Sequence, residues 1–197
     1  MTIIFDLGNV ILNFDPFIIG RKLEALCGRT PQQILDVVWY DGWEHRFTDG
    51  LIDGAQLTAG LNKAFGLNLT ETELRSIWDD IFTENTETSA LIRQLKPHYP
   101  LILLSNTNSW HWEFGYEKFP IVREFEKTVL SFKERCVKPE ARIYQIAMEL
   151  ADHDPEAVFF DDMQANVDGA IAAGLDAVQF ESAAQVAAEL RRRGCEW

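Results

Sequence analysis

Cysteine, basic charge and long apolar runs are all scarce in this chain. Only Cys27, Cys136 and Cys195 occur among 197 residues, widely spaced and in no C-x-x-C pair. That pattern excludes a disulfide scaffold and points to free thiols packed as small hydrophobes in a reducing compartment. Lys and Arg number 18 against 31 Asp and Glu, a formal net charge of −13. Such a surface disfavours nucleic acid and acidic membranes as partners. It does not disfavour a small phosphorylated molecule, because a bound cation can invert the field inside one pocket. No apolar stretch approaches the roughly 18 residues that a membrane span needs. The N-terminus carries no basic leader before its first hydrophobic run, and the chain reads as cytoplasmic. There is no internal repeat and no low-complexity tract.

What is present is an alternation of short apolar runs and helical spacing. Thr2–Phe5, Leu101–Leu104, Val158–Phe160 and Ala177–Phe180 read as buried strands, with Val129–Leu130 a fainter fifth. Pro139–Ala151, Val167–Ala173 and Ala183–Arg193 carry apolar residues at helical intervals. Strands alternating with helices predict parallel βαβ units and an α/β fold, a three-layer α/β/α Rossmann-like sheet. Residues 15–87 break the pattern: they hold no convincing strand and read as four or five helices. Thr30-Pro31 and Thr70-Glu71-Thr72-Glu73 have the form of helix starts, and Asp49-Gly50 and Asp53-Gly54 read as turns. The expected organisation is a core of residues 1–14 and 88–197 with a helical cap of residues 15–87 inserted after the first strand. An insert there either covers the carboxyl edge of the sheet as a lid or packs on one of its faces.

Four strand ends carry chemistry. Asp6 follows Ile3-Ile4-Phe5 and precedes Leu7-Gly8; alone it reads as a turn Asp, but ligands in open α/β sheets bind outside the carboxyl ends of strands. Ser105-Asn106-Thr107-Asn108 follows Leu101–Leu104 and offers hydroxyls and amides suited to phosphate oxygens. Lys138 precedes Pro139, which is expected to open the next helix, and would place one cation near an anionic site. Val158-Phe159-Phe160 runs into Asp161-Asp162, with Asn166 at the next helix start. Two adjacent carboxylates repel, and a magnesium ion held by oxygen ligands would resolve that. Asp6 and Asp162 could converge on one such ion; the alternative is Asp162 as a helix N-cap.

The ordered set Phe5-Asp6-Leu7-Gly8-Asn9-Val10, Leu104-Ser105-Asn106-Thr107, Lys138-Pro139 and Phe160-Asp161-Asp162 with Asn166 resembles the haloacid dehalogenase-like (HAD) hydrolase superfamily. It is most similar to the capped phosphatases of that superfamily. The runs Phe5–Ile11, Ser105–Asn108 and Lys138–Tyr144 resemble a bacterial branch acting on sugar phosphates, including glucose-1-phosphate. The resemblance implies that Asp6 is a nucleophile forming an aspartyl-phosphate, that Ser105 and Asn106 bind the transferring phosphoryl group, and that Lys138 pairs with phosphate and Asp6. It further implies Mg²⁺ held by Asp6, the main-chain carbonyl of Gly8 and Asp162 helped by Asp161. The expected partner is a small phosphorylated metabolite.

Gly8 departs from the family's usual pattern, which has a second Asp there to protonate the leaving oxygen and activate water. A good leaving group, a stand-in such as Asp15, Glu44, His45 or a water, or a non-catalytic binding role would each account for it. Two rivals therefore accompany the phosphatase: a metal-independent 2-haloacid dehalogenase and a degenerate ligand-binding protein. A phosphomutase fits less well, because returning the phosphoryl group needs acid–base help. Trp110-His111-Trp112 is read as pocket wall or helix core with equal weight. Trp39, Tyr40 and Trp43 would serve a sugar-binding lid or, for at least two of them, the cap core.

Overall fold

Ile3, Ile4 and Phe5 have no exposed surface, so neither face of the first strand meets solvent. The computed structural model describes all 197 residues. In chain order it contains β1 (Ile3–Phe5), β2 (Leu12–Phe14), α1 (Phe17–Cys27), α2 (Pro31–Tyr40), α3 (Trp43–Thr48), α4 (Gly54–Phe65), α5 (Glu71–Asp79) and β3 (Phe82–Glu84). The chain continues through α6 (Thr86–Leu95), β4 (Leu101–Ser105), α7 (Ser109–Lys118), a 3-10 turn (Pro120–Glu124), β5 (Lys127–Leu130) and α8 (Ser131–Glu134). It ends with α9 (Ala141–Leu150), β6 (Val158–Asp161), α10 (Gln164–Ala172), β7 (Asp176–Gln179) and α11 (Ala183–Arg192).

Five strands form one parallel sheet in the order β5-β4-β1-β6-β7. Alternation along each strand assigns side chains to opposite faces. Ile3, Phe5, Leu101, Leu103, Val158 and Phe160 pack with Ile92 of α6 and Val186 and Leu190 of α11. Ile4, Ile102, Leu104 and Phe159 pack on the other face with Ile143 and Ala147 of α9 and Val167 and Ala170 of α10. The result is the expected three-layer, Rossmann-like arrangement. Because β1 lies between β4 and β6, the strand order reverses there, and the carboxyl ends of these three strands border the crevice where such sheets take ligands.

The insert has its own apolar cluster, with Ile19, Leu23, Val38, Phe47, Leu57, Leu61, Leu74 and Trp78 at its centre and Trp110 of α7 reaching in from the core. Thr30 and Thr70 cap α2 and α5 through complete capping boxes. Three sequence expectations are corrected. Residues 15–87 do contain a strand: β3 pairs antiparallel with β2, Phe14 opposite Phe82. Three residues, none of them fully buried, carry too little pattern to show in sequence, and β3 exists only through a partner almost seventy residues away. Asp53-Gly54 is not a turn but the start of α4, where the Asp53 side chain accepts from the Gln56 N–H. Pro139 does not open α9: that helix begins at Ala141 after Glu140, and Lys138-Pro139 forms the turn ahead of it.

The capping boxes lead to a stability prediction. Thr70→Ala should lower the free energy of unfolding by about 1 kcal/mol, since it strips an acceptor from the α5 N-terminus. Urea denaturation checks this; an unchanged midpoint would show that α5 is held by packing alone.

Candidate active site

Three strand ends and one turn converge at the switch point. Asp6 follows β1, Ser105 ends β4, Asp161 ends β6, and Lys138 arrives from the turn between α8 and α9. All four residues are buried. The Lys138 ammonium lies 2.7 Å from Asp6 Oδ1 and 2.6 Å from Asp161 Oδ2, and it also donates to the Leu104 carbonyl at 3.3 Å. Its pKa is pulled down by burial, but Asp6 and Asp161 outweigh that and hold it above the ordinary lysine value. The Asp6 carboxyl is pushed up to about 7, mainly by burial and further by repulsion from Asp161, against the opposing pull of Lys138.

Neighbouring groups fix these partners. Asn106 clamps the Lys138 backbone in both directions: its Oδ1 accepts the Lys138 N–H at 2.8 Å and its Nδ2 donates to the Lys138 carbonyl at 3.0 Å. Gly169 of α10 lies so close to the adjoining turn that a Cβ there would meet Pro139 Cβ at 2.7 Å and Pro139 O at 2.9 Å. Asp161 has no free oxygen. Oδ1 accepts from the Met163 N–H and Asn166 Nδ2, and Oδ2 accepts from Asn166 Nδ2 and Lys138. Tyr144 donates from its hydroxyl to the Asn166 carbonyl at 2.8 Å, tying α9 to α10.

Asp6, Asp161 and Asp162 present carboxylate oxygens within 4.8 Å of one another. Three carboxylates facing one ammonium leave two negative charges unbalanced. Asp6 Oδ1 is occupied by Lys138 and the Leu7 N–H, while Asp162 Oδ2 accepts from Asn9 Nδ2 at 3.0 Å. The second oxygen of each remains without a protein donor. Two free carboxylate oxygens in an otherwise committed cluster suit a hard divalent cation. The residues therefore fit the magnesium ion expected from the sequence.

A cavity of about 160 Å³ lies beside this cluster, between the strand-end loops and the insert. Leu7, Gly8, Ser105 and Asn106 form its inner end; Ile19, Trp39, Glu44, Trp78 and His111 are among its outer walls. The Ser105 hydroxyl borders it and makes no hydrogen bond within the protein. Sequence reasoning left His111 between wall and core, and it is both. It lies in the first turn of α7, lines the cavity, and packs on Trp78 and Phe82. Its Nε2 lies 3.1 Å from the Trp78 carbonyl and its Nδ1 3.1 Å from Asn108 Nδ2. The carbonyl can only accept, so Nε2 carries the proton and Nδ1 accepts. Burial pushes the imidazole down to about 4. Of the lid aromatics, Trp39 reaches the cavity, Trp43 stacks under Arg46 at 4.2 Å, and Tyr40 is 86% exposed.

Sequence reasoning missed two groups. Asn9, with φ of 53°, turns back from β1 to orient Asp162; the Gly8-Asn9 pair was its only signal, since Asn tolerates the left-handed region. Ser131 joins the insert to the core: its hydroxyl accepts from the Thr107 N–H at 2.9 Å and lies 2.8 Å from the Thr48 carbonyl and 2.9 Å from that of Thr107. Nothing in the sequence marks that serine.

A family model described as a haloacid dehalogenase-like hydrolase matches residues 1–174. Among solved structures, the chain is similar to a HAD family enzyme from Bacteroides thetaiotaomicron, wild type, in complex with magnesium and inorganic phosphate. The identity is 28%, the TM-score 0.82, and the match covers 92% of this chain and 94% of that one. A predicted HAD-like family hydrolase from Porphyromonas gingivalis shares the fold at 23% identity and TM-score 0.83, covering 100% and 98% of the two chains. L-2-haloacid dehalogenase from Xanthobacter autotrophicus shares it at 18% identity and TM-score 0.65, covering 97% and 82%.

Two measurements probe this geometry. Lys138→Met should cost about 3–5 kcal/mol of stability near pH 8, because it strands two buried carboxylates, and adding Asp161→Asn should recover part of that loss in urea denaturation. His111 makes a pH prediction. Below its ordinary pKa the unfolded chain binds a proton that the native imidazole, at about 4, refuses. Its contribution therefore falls as pH drops from 6.5 toward 4. The stability advantage of wild type over His111→Gln should shrink by about 2 kcal/mol between pH 7 and pH 5; a gap independent of pH would remove the buried-neutral assignment.

Proposed function

The chain belongs to the haloacid dehalogenase-like hydrolase family, and from that premise we propose that it is a magnesium-dependent phosphatase of small phosphorylated metabolites. Sugar phosphates are the favoured class, and the cytoplasm the favoured location. The observation that carries this reading is the division of labour among the carboxylates. Lys138, Asn166 and the Met163 amide occupy Asp161, while Asp6 and Asp162 each keep a free oxygen and the Ser105 hydroxyl has no protein partner. A similar enzyme was crystallised with magnesium and inorganic phosphate, which supports the same assignment.

Asp6 is the nucleophile in this reading. One of its carboxylate oxygens attacks phosphorus, forming an aspartyl-phosphate as the bond to the leaving oxygen breaks, while the other would face the cation. Lys138 offsets the charge of carboxylate and phosphate together. The Ser105 hydroxyl and the Asn106 main chain take phosphoryl oxygens, while the Asn106 side chain keeps Lys138 placed. Asp6, Asp162 and the Gly8 carbonyl would hold Mg²⁺, with Asp161 supporting through Lys138. When bound, that ion supplies further neutralisation of phosphoryl charge, the dominant need in phosphoryl transfer. Helices α1–α5 serve as a cap over the site, and their pocket walls select the leaving group. The walls combine Trp39 and Trp78 with Glu44 and Thr48, a mixture of apolar faces and polar groups suited to a sugar.

Displacement at carbon without a metal, as in a dehalogenase, is less well supported, because a metal-free site gains nothing from placing Asp162 beside Asp6 and an anionic substrate. The deciding experiment is phosphate release from p-nitrophenyl phosphate and a panel of sugar phosphates. Turnover should require Mg²⁺, stop with EDTA and vanish in Asp6→Asn. Turnover that persists in EDTA, or halide release from a 2-haloacid in place of phosphate release, would overturn the reading.

A further inference from the structure

At position 8, where an acid/base side chain would complete the site, there is only a hydrogen, and a Cβ built there would lie 3.1 Å from the Phe14 ring. The proton needed by a departing alkoxide must therefore come from elsewhere in the cavity. Of the residues lining it, only Glu44 and His111 carry acid/base side chains. His111 is committed: Nε2–H donates to the Trp78 carbonyl, Nδ1 accepts from Asn108, and burial keeps the ring neutral. The other stand-ins considered from sequence point away. Asp15 accepts from the Phe17 N–H and pairs with Arg21, half in solvent and outside the cavity. His45 is 67% exposed and does not line it.

Glu44 remains. It lies on α3, its side chain is 19% exposed, and its Oε1 accepts the Thr48 hydroxyl at 2.6 Å. Oε2 has no closer partner than His45 Nδ1 at 3.6 Å. Burial holds its carboxyl above the ordinary glutamate value; His45 and Asp49 are the ionisable groups that face it, and no lysine or arginine lines the cavity. The helix that carries it is anchored to the phosphate-side loop. The carbonyl of Thr48 meets the Ser131 hydroxyl, which in turn holds Thr107, two residues beyond Ser105. Gly50, just past α3, packs directly on the Phe132 carbonyl.

We propose that Glu44 is the proton donor and acceptor of the reaction, replacing the residue that Gly8 omits. This rests on the phosphatase reading above. In the first half, Asp6 forms a bond to phosphorus, the bond from phosphorus to the leaving oxygen breaks, and the Glu44 carboxylic acid gives that oxygen its proton. An alcohol leaves, with Glu44 as carboxylate. In the second half, the carboxylate removes a proton from the water attacking phosphorus, the aspartyl-phosphate bond breaks, and phosphate, free Asp6 and protonated Glu44 are regenerated.

The test compares wild type and Glu44→Gln on phenyl phosphate and p-nitrophenyl phosphate, which differ little in shape but strongly in their need for protonation. For Glu44→Gln, kcat/KM should fall about 10²-fold or more on phenyl phosphate and less than about tenfold on p-nitrophenyl phosphate. A burst of p-nitrophenol should appear in the variant as the aspartyl-phosphate accumulates. Glu44→Asp should retain part of the phenyl phosphate activity, and circular dichroism checks that each variant is folded. Wild type supplies a readout that needs no variant: an alkaline limb in kcat/KM with phenyl phosphate that is absent with p-nitrophenyl phosphate. Equal losses on both substrates, no loss on either, or coincident limbs would overturn the role of Glu44 while leaving the phosphatase reading intact. No turnover of either ester by wild type would instead remove the phosphatase reading and this role with it.

Discussion

A single ammonium group, that of Lys138, lies between two buried carboxylates, 2.7 Å from Asp6 and 2.6 Å from Asp161. Everything else at the site depends on this contact. Burying a charge is costly unless it is paired and hydrogen-bonded. Here the pairing is enforced from several directions: Asn106 holds the Lys138 backbone, Asn166 and the Met163 amide hold Asp161, and the Leu7 amide holds Asp6. Each partner comes from a different strand end or turn. The ion triad is therefore also a junction where β1, β4, β6 and the turn before α9 must agree.

The same constraint separates carboxylates that look alike in sequence. Asp161 and Asp162 are adjacent, yet one is enclosed by four hydrogen bonds and the other stands at the rim with Asn9. Strand alternation does the sorting. Asp161 is the last residue of β6 and points inward, while Asp162 has already left the strand. The cluster thus neutralises one carboxylate internally and leaves a free oxygen on each of the other two, in a protein whose net charge is −13.

The insert adds a second layer of control. Its cluster around Trp78 and Phe47 is built by helices of modest length, and Trp110 from the core completes it. That shared tryptophan and the Ser131 hydroxyl couple the insert to the strand-end loops. A residue such as Glu44 can then be delivered to the cavity from a helix sixty residues away from Ser105 in sequence. Chemistry that one position after β1 does not supply is thus available from another element, provided the two bodies stay in register.

Much of this was legible in the residues. Apolar runs ending in Asp6, Ser105 and Asp161-Asp162 defined a parallel sheet and its reactive edge, because buried strands show as continuous hydrophobic runs and polar residues at their ends have no packing reason to be there. Capping boxes at Thr30 and Thr70 marked helix starts through local chemistry alone. Other features belong to the tertiary structure. The ribbon of β2 and β3 needs a partner distant in sequence, and the latch at Ser131 is one hydroxyl among many. The use of the Asn106 side chain on Lys138, and the choice of Glu44 over Asp15 and His45 as the residue facing the cavity, follow from how helices and loops dock. By itself the sequence determined which residue types stand at the strand ends, since that is set by local pattern. Which of their atoms remain free to react was decided only by packing, because hydrogen-bond partners are assigned in three dimensions and not along the chain.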